Sequence, residues 1–404
     1  MPEAVIVATA RTPIGRAFKG SFVEERADDM AAFIVDAVLN KVPQLDRNTV
    51  DDLILGCGLP GGEQGFNMGR VVAILAGMPD VPGCTITRYC SSSLQSIRMA
   101  AHAIRAGEGD AFVAAGVEAV SRFMVGGSSD HTPGTQNPTF GDAGLRTIAR
   151  AAGDQGAWTP PTGLPDVYIA MGETAENVAE VEGVTREEMD DYAFRSQQRA
   201  GAAIARGFFE REITPYTRKD GTVISADDCP RPQTEREKLG SLAPAFRPTG
   251  RVTAGNACPL NDGAAAVVVM SDTKAKELGI TPLARIVSSG VSGLNPEIMG
   301  LGPIEASRRA LKLAGMTIDQ IDLVEINEAF AAQVLPSAKA LGIPEDRLNV
   351  NGGAIALGHP FGMTGARIMG TMLNGLEDAD KTFGLETMCV GGGQGMAMIV
   401  ERLA

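Results

Sequence analysis

Cys90 stands where a cysteine could act as a nucleophile. It lies in the segment 88–96, directly before a helical pattern over 94–105. The unpaired N–H groups and the dipole at a helix start stabilise a negative charge, which predicts a lowered thiol pKa and a reactive thiolate. The alternative is that Cys90 is a small apolar core residue, because cysteine is among the most buried residue types.

His359 lies in a turn over 351–362 that is rich in glycine and alanine, and it is the only ionisable side chain there. An imidazole can accept a thiol proton or stabilise a developing oxyanion. The alternative is a structural histidine that is hydrogen-bonded within the turn. Pro360 and the glycines favour a tightly constrained backbone at this position.

Cys389 shortly precedes a run of three glycines over 391–393. Glycine lets the backbone approach a ligand and point N–H groups at one spot, as an oxyanion hole requires. A phosphate loop is not predicted, because the GxGxxG spacing and the terminal lysine of a P-loop are missing. Asn327 follows an apolar strand pattern and is a candidate hydrogen-bond donor or, alternatively, a helix N-cap.

Composition and charge exclude several kinds of protein. The chain has 404 residues, of which 44% are hydrophobic, and a net charge of −13. These values predict a large packed core and argue against a nucleic-acid partner, which requires a basic surface. Arg231 and Arg236 could still bind one phosphate-bearing ligand. With no secretory signal and no apolar window near ~18 residues, we expect no membrane span and a cytoplasmic protein with free cysteines.

The elements that carry these residues occur twice along the chain. Cys90 and His359 both precede helical patterns, at an offset of 269 residues. Strand patterns recur at similar offsets, 52–55 with 322–325 and 111–116 with 382–387. The near-constant offset predicts two copies of one α/β unit. A pseudo-twofold axis between them would bring both helix starts towards one anion-stabilising point.

A region of different composition separates the copies. It begins rich in Gly, Pro, Ser and Thr and then carries a charged helical stretch, which Thr185 and Glu188 open as a capping box. The region is too long for a simple loop, so an inserted subdomain is predicted over 121–250. The two core halves would then be 1–120 with 251–273, and 274–404.

Together these segments resemble the thiolase family over essentially the whole chain. Further segments that match family patterns are 171–178, 253–256 and 261–265. The resemblance implies a duplicated five-layer α-β-α-β-α fold and reversible cleavage of 3-ketoacyl-CoA by a ping-pong mechanism with an acyl-cysteine intermediate. Coenzyme A is then a substrate, and no cofactor or metal is expected. It also implies dimers paired into tetramers, with part of residues 121–150 at the second interface.

The resemblance implies a role for each candidate residue. Cys90 would carry the acyl group, His359 would activate it, and Cys389 would be the second acid and base. Asn327 would hold a water that forms one oxyanion hole with His359, and the N–H groups of Cys90 and Gly391 would form the other. The substrate contacts implied are Arg231 near the CoA nucleotide, Ala254 and Cys258 along the pantetheine channel, and Met171 and Phe330 at the acyl pocket.

Some positions depart from the family pattern. The family commonly has Gly at Ser93 and Ser-Gly at 258–259, where this chain has Cys-Pro. Biosynthetic members often have a His just before Met171, whereas residues 168–170 are Tyr-Ile-Ala here, which favours a degradative 3-ketoacyl-CoA thiolase. Phe361 is unusually bulky beside the candidate base.

Three other functions remain open from the sequence. They are a biosynthetic acetoacetyl-CoA thiolase, a decarboxylating condensing enzyme of the ketoacyl-synthase type, and an inactive CoA- or lipid-binding protein. The Asn-Glu-Ala-Phe segment over 327–330 and the second cysteine Cys389 favour a thiolase over a ketoacyl synthase. An inactive relative would be expected to lose Cys90, His359 or Cys389, and all three are present.

Overall fold

The computed structural model describes residues 2–123, 134–153 and 156–404. Part of the predicted insertion and part of the predicted second interface fall within 124–133 and lie outside the described residues. The strands are β1 Ala4–Arg11, β2 Gly15–Arg16, β3 Asp52–Cys57, β4 Gly83–Ile86, β5 Ala111–Ala119, β6 Tyr216–Thr217, β7 Val223–Ile224, β8 Asn261–Ser271, β9 Ala284–Gly293, β10 Leu323–Ile326, β11 Phe383–Val390 and β12 Gln394–Arg402. The helices are α1 Ala27–Leu39, α2 Met68–Leu75, α3 Ser92–Ala106, α4 Gly141–Ala151, α5 Met171–Val181, α6 Arg186–Ala205, α7 Arg236–Gly240, α8 Asp272–Glu277, α9 Gly302–Ala314, α10 Ala331–Leu341, α11 Ala354–Leu357 and α12 Thr364–Asp378.

Ten strands of the described chain form one mixed sheet that contains the same strand order twice. The order is β3-β5-β8-β1 in the first copy and β10-β11-β12-β9 in the second. The first two strands of each copy are parallel, and the other neighbours within each copy are antiparallel. The predicted duplication is therefore confirmed, because strands separated by about the predicted offset occupy equivalent places.

The two copies meet where β1 pairs with β9. Only Val5 and Ile6 pair across this junction, with Arg285 and Ala284. The inner faces of both copies contact one shared hydrophobic cluster. The sheet halves therefore face each other across a common layer of side chains.

Three hydrophobic clusters give the molecule five layers. One lies between helices α1 and α2 and the outer face of the first copy. The second surrounds α3 and α12 between the two copies, and the third lies between the outer face of the second copy and α5, α6, α9 and α10. The order helix, sheet, helix, sheet, helix confirms the predicted fold. Strand β8 reads as a nearly continuous apolar run because it is buried along its whole length.

Helices α3 and α12 pack closely in the central layer, and the candidate catalytic turns lie at their N-terminal ends. Ser93 Oγ accepts a hydrogen bond from the N–H of Ala366 at 2.9 Å. A Cβ at Gly365 would lie only 2.4 Å from the amide nitrogen of Leu94. Ser93, a departure from the family pattern, therefore links the two copies.

We expect Gly365→Ala to destabilise the protein by about 1–3 kcal/mol, because the methyl group would force α3 and α12 apart. A denaturant titration measures this change in the free energy of unfolding. Gly144→Ala is the matched control, since Gly144 lies within α4 and nothing lies within 4 Å of an added Cβ. Alanine there should leave stability unchanged or raise it by about 0.5–1 kcal/mol. Equal effects of the two substitutions would contradict the close packing of the helices.

Helices α4 to α7 and the short hairpin β6–β7 come from the predicted insertion. The capping box of α6 is confirmed, because the Glu188 carboxylate accepts the N–H of Thr185 at 2.8 Å and Thr185 Oγ accepts the N–H of Glu188 at 3.2 Å. Helices α5 and α6 cover the outer face of the second copy. The boundaries of the three regions stay predictions. None of the described helices has both the length and the hydropathy of a bilayer span.

Candidate active site

The turn that carries Cys90 connects β4 to α3. It is a short 3₁₀ turn over Tyr89–Ser91, and Ser92 begins α3. Tyr89 adopts φ +43°, a strained value for a residue other than glycine. Ser92 Oγ accepts the N–H of Arg88 at 2.9 Å and donates to the carbonyl of Tyr89 at 2.7 Å. These two bonds hold the strained backbone of Tyr89 in place directly before Cys90.

The sulfur of Cys90 lies in a buried environment that contains two backbone amides. Burial raises the pKa of the thiol to about 12, and the N–H groups of Gly391 and of Cys90 itself lower it only in part. The prediction that a helix start gives Cys90 a lowered pKa is therefore wrong for the resting protein, because desolvation outweighs the dipole. The thiol is protonated at neutral pH and requires a base.

Gly391 is held beside Cys90 by contacts between the two copies. Arg88 donates from Nη1 to Oε1 of Gln394 at 2.6 Å, and Gln394 Nε2 donates to the carbonyl of Gly391 at 3.4 Å. A Cβ at Gly391 would lie 3.3 Å from the ring of Tyr89. Hydrogen bonds through Gln394 thus connect the turn over 391–393 in the second copy to the turn of Cys90 in the first copy.

His359 is oriented by hydrogen bonds to both ring nitrogens. Thr364 Oγ1 donates its single proton to the carbonyl of Pro360 at 2.8 Å, so its contact of 2.6 Å with His359 Nδ1 requires that Nδ1 carries a proton. In the neutral ring Nε2 is then unprotonated, and its lone pair faces the donor Nδ2 of Asn327 at 3.3 Å. The backbone N–H of His359 donates to Asn261 Oδ1 at 2.9 Å. This tautomer leaves Nε2 able to accept a proton.

The environment of His359 keeps the imidazole neutral. Burial, together with the charge of Arg367, lowers the pKa of His359 to about 3. The ring of Phe361 packs edge-on against it, with centroids 5.2 Å apart, and Phe361 lines the same cavity as Cys90. A neutral imidazole beside this cavity can act as a base at physiological pH.

Asn327 lies in a loop between β10 and α10. Its N–H donates to the carbonyl of Thr387 at 3.0 Å, and its carbonyl accepts from Gln333 Nε2 at 2.6 Å. The alternative that Asn327 is a helix N-cap is wrong, because α10 begins at Ala331. The loop instead presents the amide of Asn327 to His359.

The carboxylate of the neighbouring Glu328 holds this loop in place through hydrogen bonds. Its buried carboxylate accepts hydrogen bonds from Tyr192 Oη at 2.8 Å, Ser196 Oγ at 2.7 Å, Asn349 Nδ2 at 2.9 Å and the N–H of Ile355 at 3.0 Å. A buried carboxylate with a full set of donors forms a rigid network. The position of Asn327 is therefore set by the insertion as well as by the core.

Cys389 lies near the end of β11 and is fully buried. Burial raises the pKa of its thiol well above the usual value, and the nearby Cys90 and Cys258 raise it further. Cys389 is therefore a protonated thiol at neutral pH, able to donate a proton. Cys258 also belongs to this group of thiols, and its N–H donates to the carbonyl of Ala329 at 3.0 Å, in the loop of Asn327.

Glu118, near the end of β5, ties the turn of His359 to the first copy. It accepts hydrogen bonds from the N–H groups of Gly58 at 2.7 Å and Gly362 at 2.9 Å, and from Gln64 Nε2 at 2.8 Å. Burial raises the pKa of Glu118, and these donors lower it in part. Gly362 follows Phe361, so the carboxyl fixes the turn of His359 against β3.

A cavity of about 350 Å³ opens beside Cys90. The predicted residues Cys90, Gly391 and Met171 line it, but Phe330 is not among its described lining residues and packs its ring against Phe246 instead. The other lining residues are mostly apolar or aromatic: Leu59, Tyr89, Thr135, Gln136, Val167, Tyr168, Ile169, Phe361 and Gly392. The cavity suits an acyl chain that leads away from the sulfur.

A second cavity, of about 170 Å³, contains the residues predicted to contact CoA. Arg231 and Ala254 both line it, as does Pro259, the neighbour of Cys258. Arg236 is not among its described lining residues, because its guanidinium pairs with Asp191. Arg16, which the sequence analysis did not single out, lines this cavity too.

The predicted residues therefore form two groups, one for acyl chemistry and one for a polar ligand. Sequence reasoning missed Thr364, Glu118 and Arg16. Thr364 had a local signal, since it opens the helix after the histidine turn, whereas Glu118 and Arg16 reach the site only through tertiary contacts. In the described part of the chain, no cluster of His, Cys, Asp and Glu has the arrangement of a metal site.

Comparison with known proteins agrees with this geometry. The family model "Thiolase, N-terminal domain" matches residues 4–273, and "Thiolase, C-terminal domain" matches residues 280–402.

Several curated proteins and one solved structure are similar along the full chain. A 3-ketoacyl-CoA thiolase of Bacillus subtilis strain 168 is 43% identical, over 99% of this chain and 100% of that protein. A beta-ketoadipyl-CoA thiolase of Acinetobacter baylyi is also 43% identical, over 100% of both chains. The crystal structure of the acetyl-CoA acetyltransferase of Bacillus anthracis superposes with a TM-score of 0.86 at 38% identity, over 100% of this chain and 99% of that one.

Proposed function

The chain belongs to the thiolase family and is an acyltransferase, and we propose that it uses free CoA to cleave 3-ketoacyl-CoA into acetyl-CoA and a shortened acyl-CoA. One observation carries the proposal. Cys90, whose thiol lies under two amides, and Phe361 line one cavity, the neutral imidazole of His359 packs on Phe361 and contacts Asn327, and the protonated thiol of Cys389 lies near Cys90. Carbon–carbon cleavage next to a thioester needs this set of nucleophile, base, oxyanion donors and carbon acid.

In the first half-reaction, Cys90 gives its proton to Nε2 of His359 and its sulfur bonds to the 3-keto carbon. The N–H groups of Cys90 and Gly391 stabilise the oxyanion that forms there, at roughly 3–4 kcal/mol per donor. The bond between C2 and C3 then breaks, and its electron pair stays on C2 as the enolate of acetyl-CoA. Cys389 protonates C2, which leaves acetyl-CoA and an acyl group on Cys90.

The tautomer of His359 supports two successive roles for one nitrogen. Nε2 is unprotonated before the reaction and carries a proton after Cys90 is deprotonated. The protonated Nε2 can then donate, together with Asn327, to the thioester oxygen on which the enolate charge develops.

The second half-reaction restores the enzyme. The thiol of CoA gives its proton to the thiolate of Cys389, and its sulfur attacks the acyl carbon. The bond from that carbon to Cys90 breaks, and the leaving sulfur takes back the proton from His359. Every proton returns to its starting group, which is consistent with ping-pong kinetics.

We place coenzyme A along the second cavity. Arg231 and Arg16 would pair with its phosphates, and Ala254 with Cys258 would contact the pantetheine arm between the two cavities. Met171 lines the cavity beside Cys90 and would contact the acyl chain. Phe330 would border the acyl pocket from behind the residues that line this cavity.

The degradative direction is supported by the acyl cavity and by residues 168–170. A volume of about 350 Å³ exceeds what an acetyl group needs, and it lies in the range of pockets that hold larger ligands. The histidine often found before Met171 in biosynthetic thiolases is replaced by the segment Tyr-Ile-Ala. Both observations favour a 3-ketoacyl chain longer than acetoacetyl, as in β-oxidation of fatty acids.

The test is to incubate the protein with CoA and 3-ketoacyl-CoAs of increasing chain length and follow the loss of the 3-keto thioester. We expect turnover that rises beyond acetoacetyl-CoA. A sharp preference for acetoacetyl-CoA would overturn the degradative assignment, and no turnover with any chain would overturn the proposed function. 3-Ketoadipyl-CoA is tested beside them as a substrate whose acyl chain ends in a carboxylate, since one relative is named for it.

We also propose a cytoplasmic homo-oligomer, with dimers paired into tetramers. Strand β4 forms the outer edge of the sheet with all four residues partly exposed, and Phe66 nearby is 98% exposed. An exposed edge strand beside an apolar side chain suits pairing with a second copy. Sedimentation measures the mass, cell fractionation measures the location, and a monomer or a secreted protein would contradict these assignments.

A further inference from the structure

A further cavity has no place in the reaction above. It has a volume of about 320 Å³ and lies between α4 and residues of the segments 136–140 and 166–168, and we call it the α4 cavity. Gln136 and Tyr168 line both the α4 cavity and the cavity beside Cys90. These two residues therefore stand between the two spaces, and the α4 cavity adjoins the cavity proposed for the acyl chain.

Helix α4 turns one face to this cavity. The residues of α4 that line it are spaced by three and four, which places them on one side of the helix: Gly141, Gly144, Leu145 and Ile148. Leu145 is 65% exposed and Ile148 is 66% exposed, whereas the buried residue of the helix is Ala143. The large apolar side chains of α4 are therefore directed at the cavity and not at the core.

The glycines leave room along this face. Nothing lies within 4 Å of a Cβ added at Gly141 or at Gly144. Phe140 and Pro138, directly before the helix, add apolar surface to the same cavity. Apolar surface gains free energy when a ligand removes it from water, and a contiguous exposed patch marks a binding site. The α4 cavity therefore suits an apolar ligand that lies along the helix.

The wall between the two cavities is weakly held at Tyr168. Tyr168 Oη accepts the N–H of Asn137 at 3.1 Å, and the ring packs edge-on against Phe140 with centroids 5.6 Å apart. The residue is nevertheless 43% exposed. One hydrogen bond and one ring contact are weak restraints on an exposed side chain. Rotation of this ring would join the two cavities into one path.

The α4 cavity favours an uncharged ligand. Its acidic lining residue, Asp166, is buried, and its carboxylate accepts Thr147 Oγ1 at 2.6 Å and the N–H of Tyr168 at 3.0 Å. The carboxylate thus connects α4 to the segment of Tyr168. No lysine or arginine stands among the described residues that line the cavity. A ligand that ends in a carboxylate would meet Asp166 without a cation to pair with.

We propose that the α4 cavity binds the far end of a long, uncharged acyl chain, so that the substrates are long-chain 3-ketoacyl-CoAs. The proposal rests on the proposed function, in which the acyl chain begins at Cys90 and fills the first cavity. A longer chain passes between Gln136 and Tyr168. Its end then lies on Leu145 and Ile148. A chain end is favoured over a second copy of the protein as the occupant, because the α4 cavity adjoins the cavity beside Cys90.

The test measures kcat/KM of thiolysis for 3-ketohexanoyl-CoA and 3-ketohexadecanoyl-CoA with the wild type, Leu145→Asn and Ile148→Asn. Burial of one methylene on apolar surface favours binding by about four-fold. We expect each variant to lose about 4- to 15-fold more with the long substrate than with the short one, because only the long chain reaches α4. The same ratio of long to short substrate in the wild type and both variants overturns the proposal.

Leu313→Asn is the matched control. Leu313 is 72% exposed on α9 and is not among the described lining residues of either cavity. Its replacement should keep the wild-type ratio of the two substrates. Sedimentation of the α4 variants tests the other occupant. A lower mass together with an unchanged ratio would assign this face to contact between copies and overturn the proposal.

Binding of two CoA thioethers separates this inference from the proposed function. A thioether has no carbonyl for Cys90 to attack, so its affinity does not depend on turnover. Calorimetry should show tighter binding of dodecyl-CoA thioether than of butyl-CoA thioether, and Ile148→Asn should reduce that difference. If the wild type turns over neither substrate, the proposed function fails, and the thioethers still test the cavity. A difference that Ile148→Asn leaves unchanged overturns the proposal.

Discussion

Cys90→Ser is expected to lower kcat/KM of thiolysis by at least about 10⁴-fold, the scale seen when a covalent nucleophile is removed. The serine hydroxyl is a much weaker acid than a thiol, and the available base is an imidazole whose pKa is lowered to about 3. Proton transfer from serine to His359 is therefore far less favourable. Steady-state kinetics with a 3-ketoacyl-CoA measures the loss, and mass spectrometry of the intact protein measures the acyl-enzyme.

Cys84→Ser is the control for this substitution. Cys84 is a partly buried thiol on β4 and has no place in the proposed chemistry. Its replacement should leave turnover and the acyl adduct unchanged. If Cys90→Ser retained wild-type turnover, or if peptide mapping placed the acyl group of the wild-type protein on another residue, Cys90 would not be the nucleophile.

Cys389→Ala is expected to lower carbon–carbon cleavage by about 10²- to 10⁴-fold, the usual contribution of a positioned acid or base. The loss should be much smaller for exchange of labelled CoA into an acyl-CoA, which acylates Cys90 but forms no carbanion. The physical reason is that a carbon acid requires proton transfer from a placed group, whereas a thiolate leaves readily by itself. Parallel rates of thiolysis and CoA exchange measure the difference.

The same pair of rates separates catalysis from folding for Cys389. A fully buried side chain is removed, so thermal unfolding of the variant is measured beside the wild type. The Cys84→Ser control should keep both rates. Equal loss of thiolysis and exchange in Cys389→Ala would show that Cys389 supports the nucleophile or the fold and is not the acid for the carbanion.

The duplicated fold could be read from the sequence because it depends on local patterns. The offset of about 270 residues between strand patterns corresponds to matching places in the sheet, and the capping box at Thr185 opens α6. Hydrophobic periodicity and caps act over a few residues, so one chain suffices to see them. The candidate groups Cys90, His359 and Cys389 were found in the same way, from reactive residues beside glycines and helix starts.

The protonation states were decided only by tertiary structure. A helix start predicts a reactive thiolate at Cys90, but burial between the two copies raises its pKa instead. The neutrality of His359 depends first on its burial and then on the charge of Arg367.

By itself, then, the sequence determined which residue types stand at the candidate site and which repeated unit carries them. The tertiary structure decided which of those groups are charged. The reason is physical, since desolvation and the distances between charges depend on how segments far apart in the chain pack together, and no local pattern contains that information.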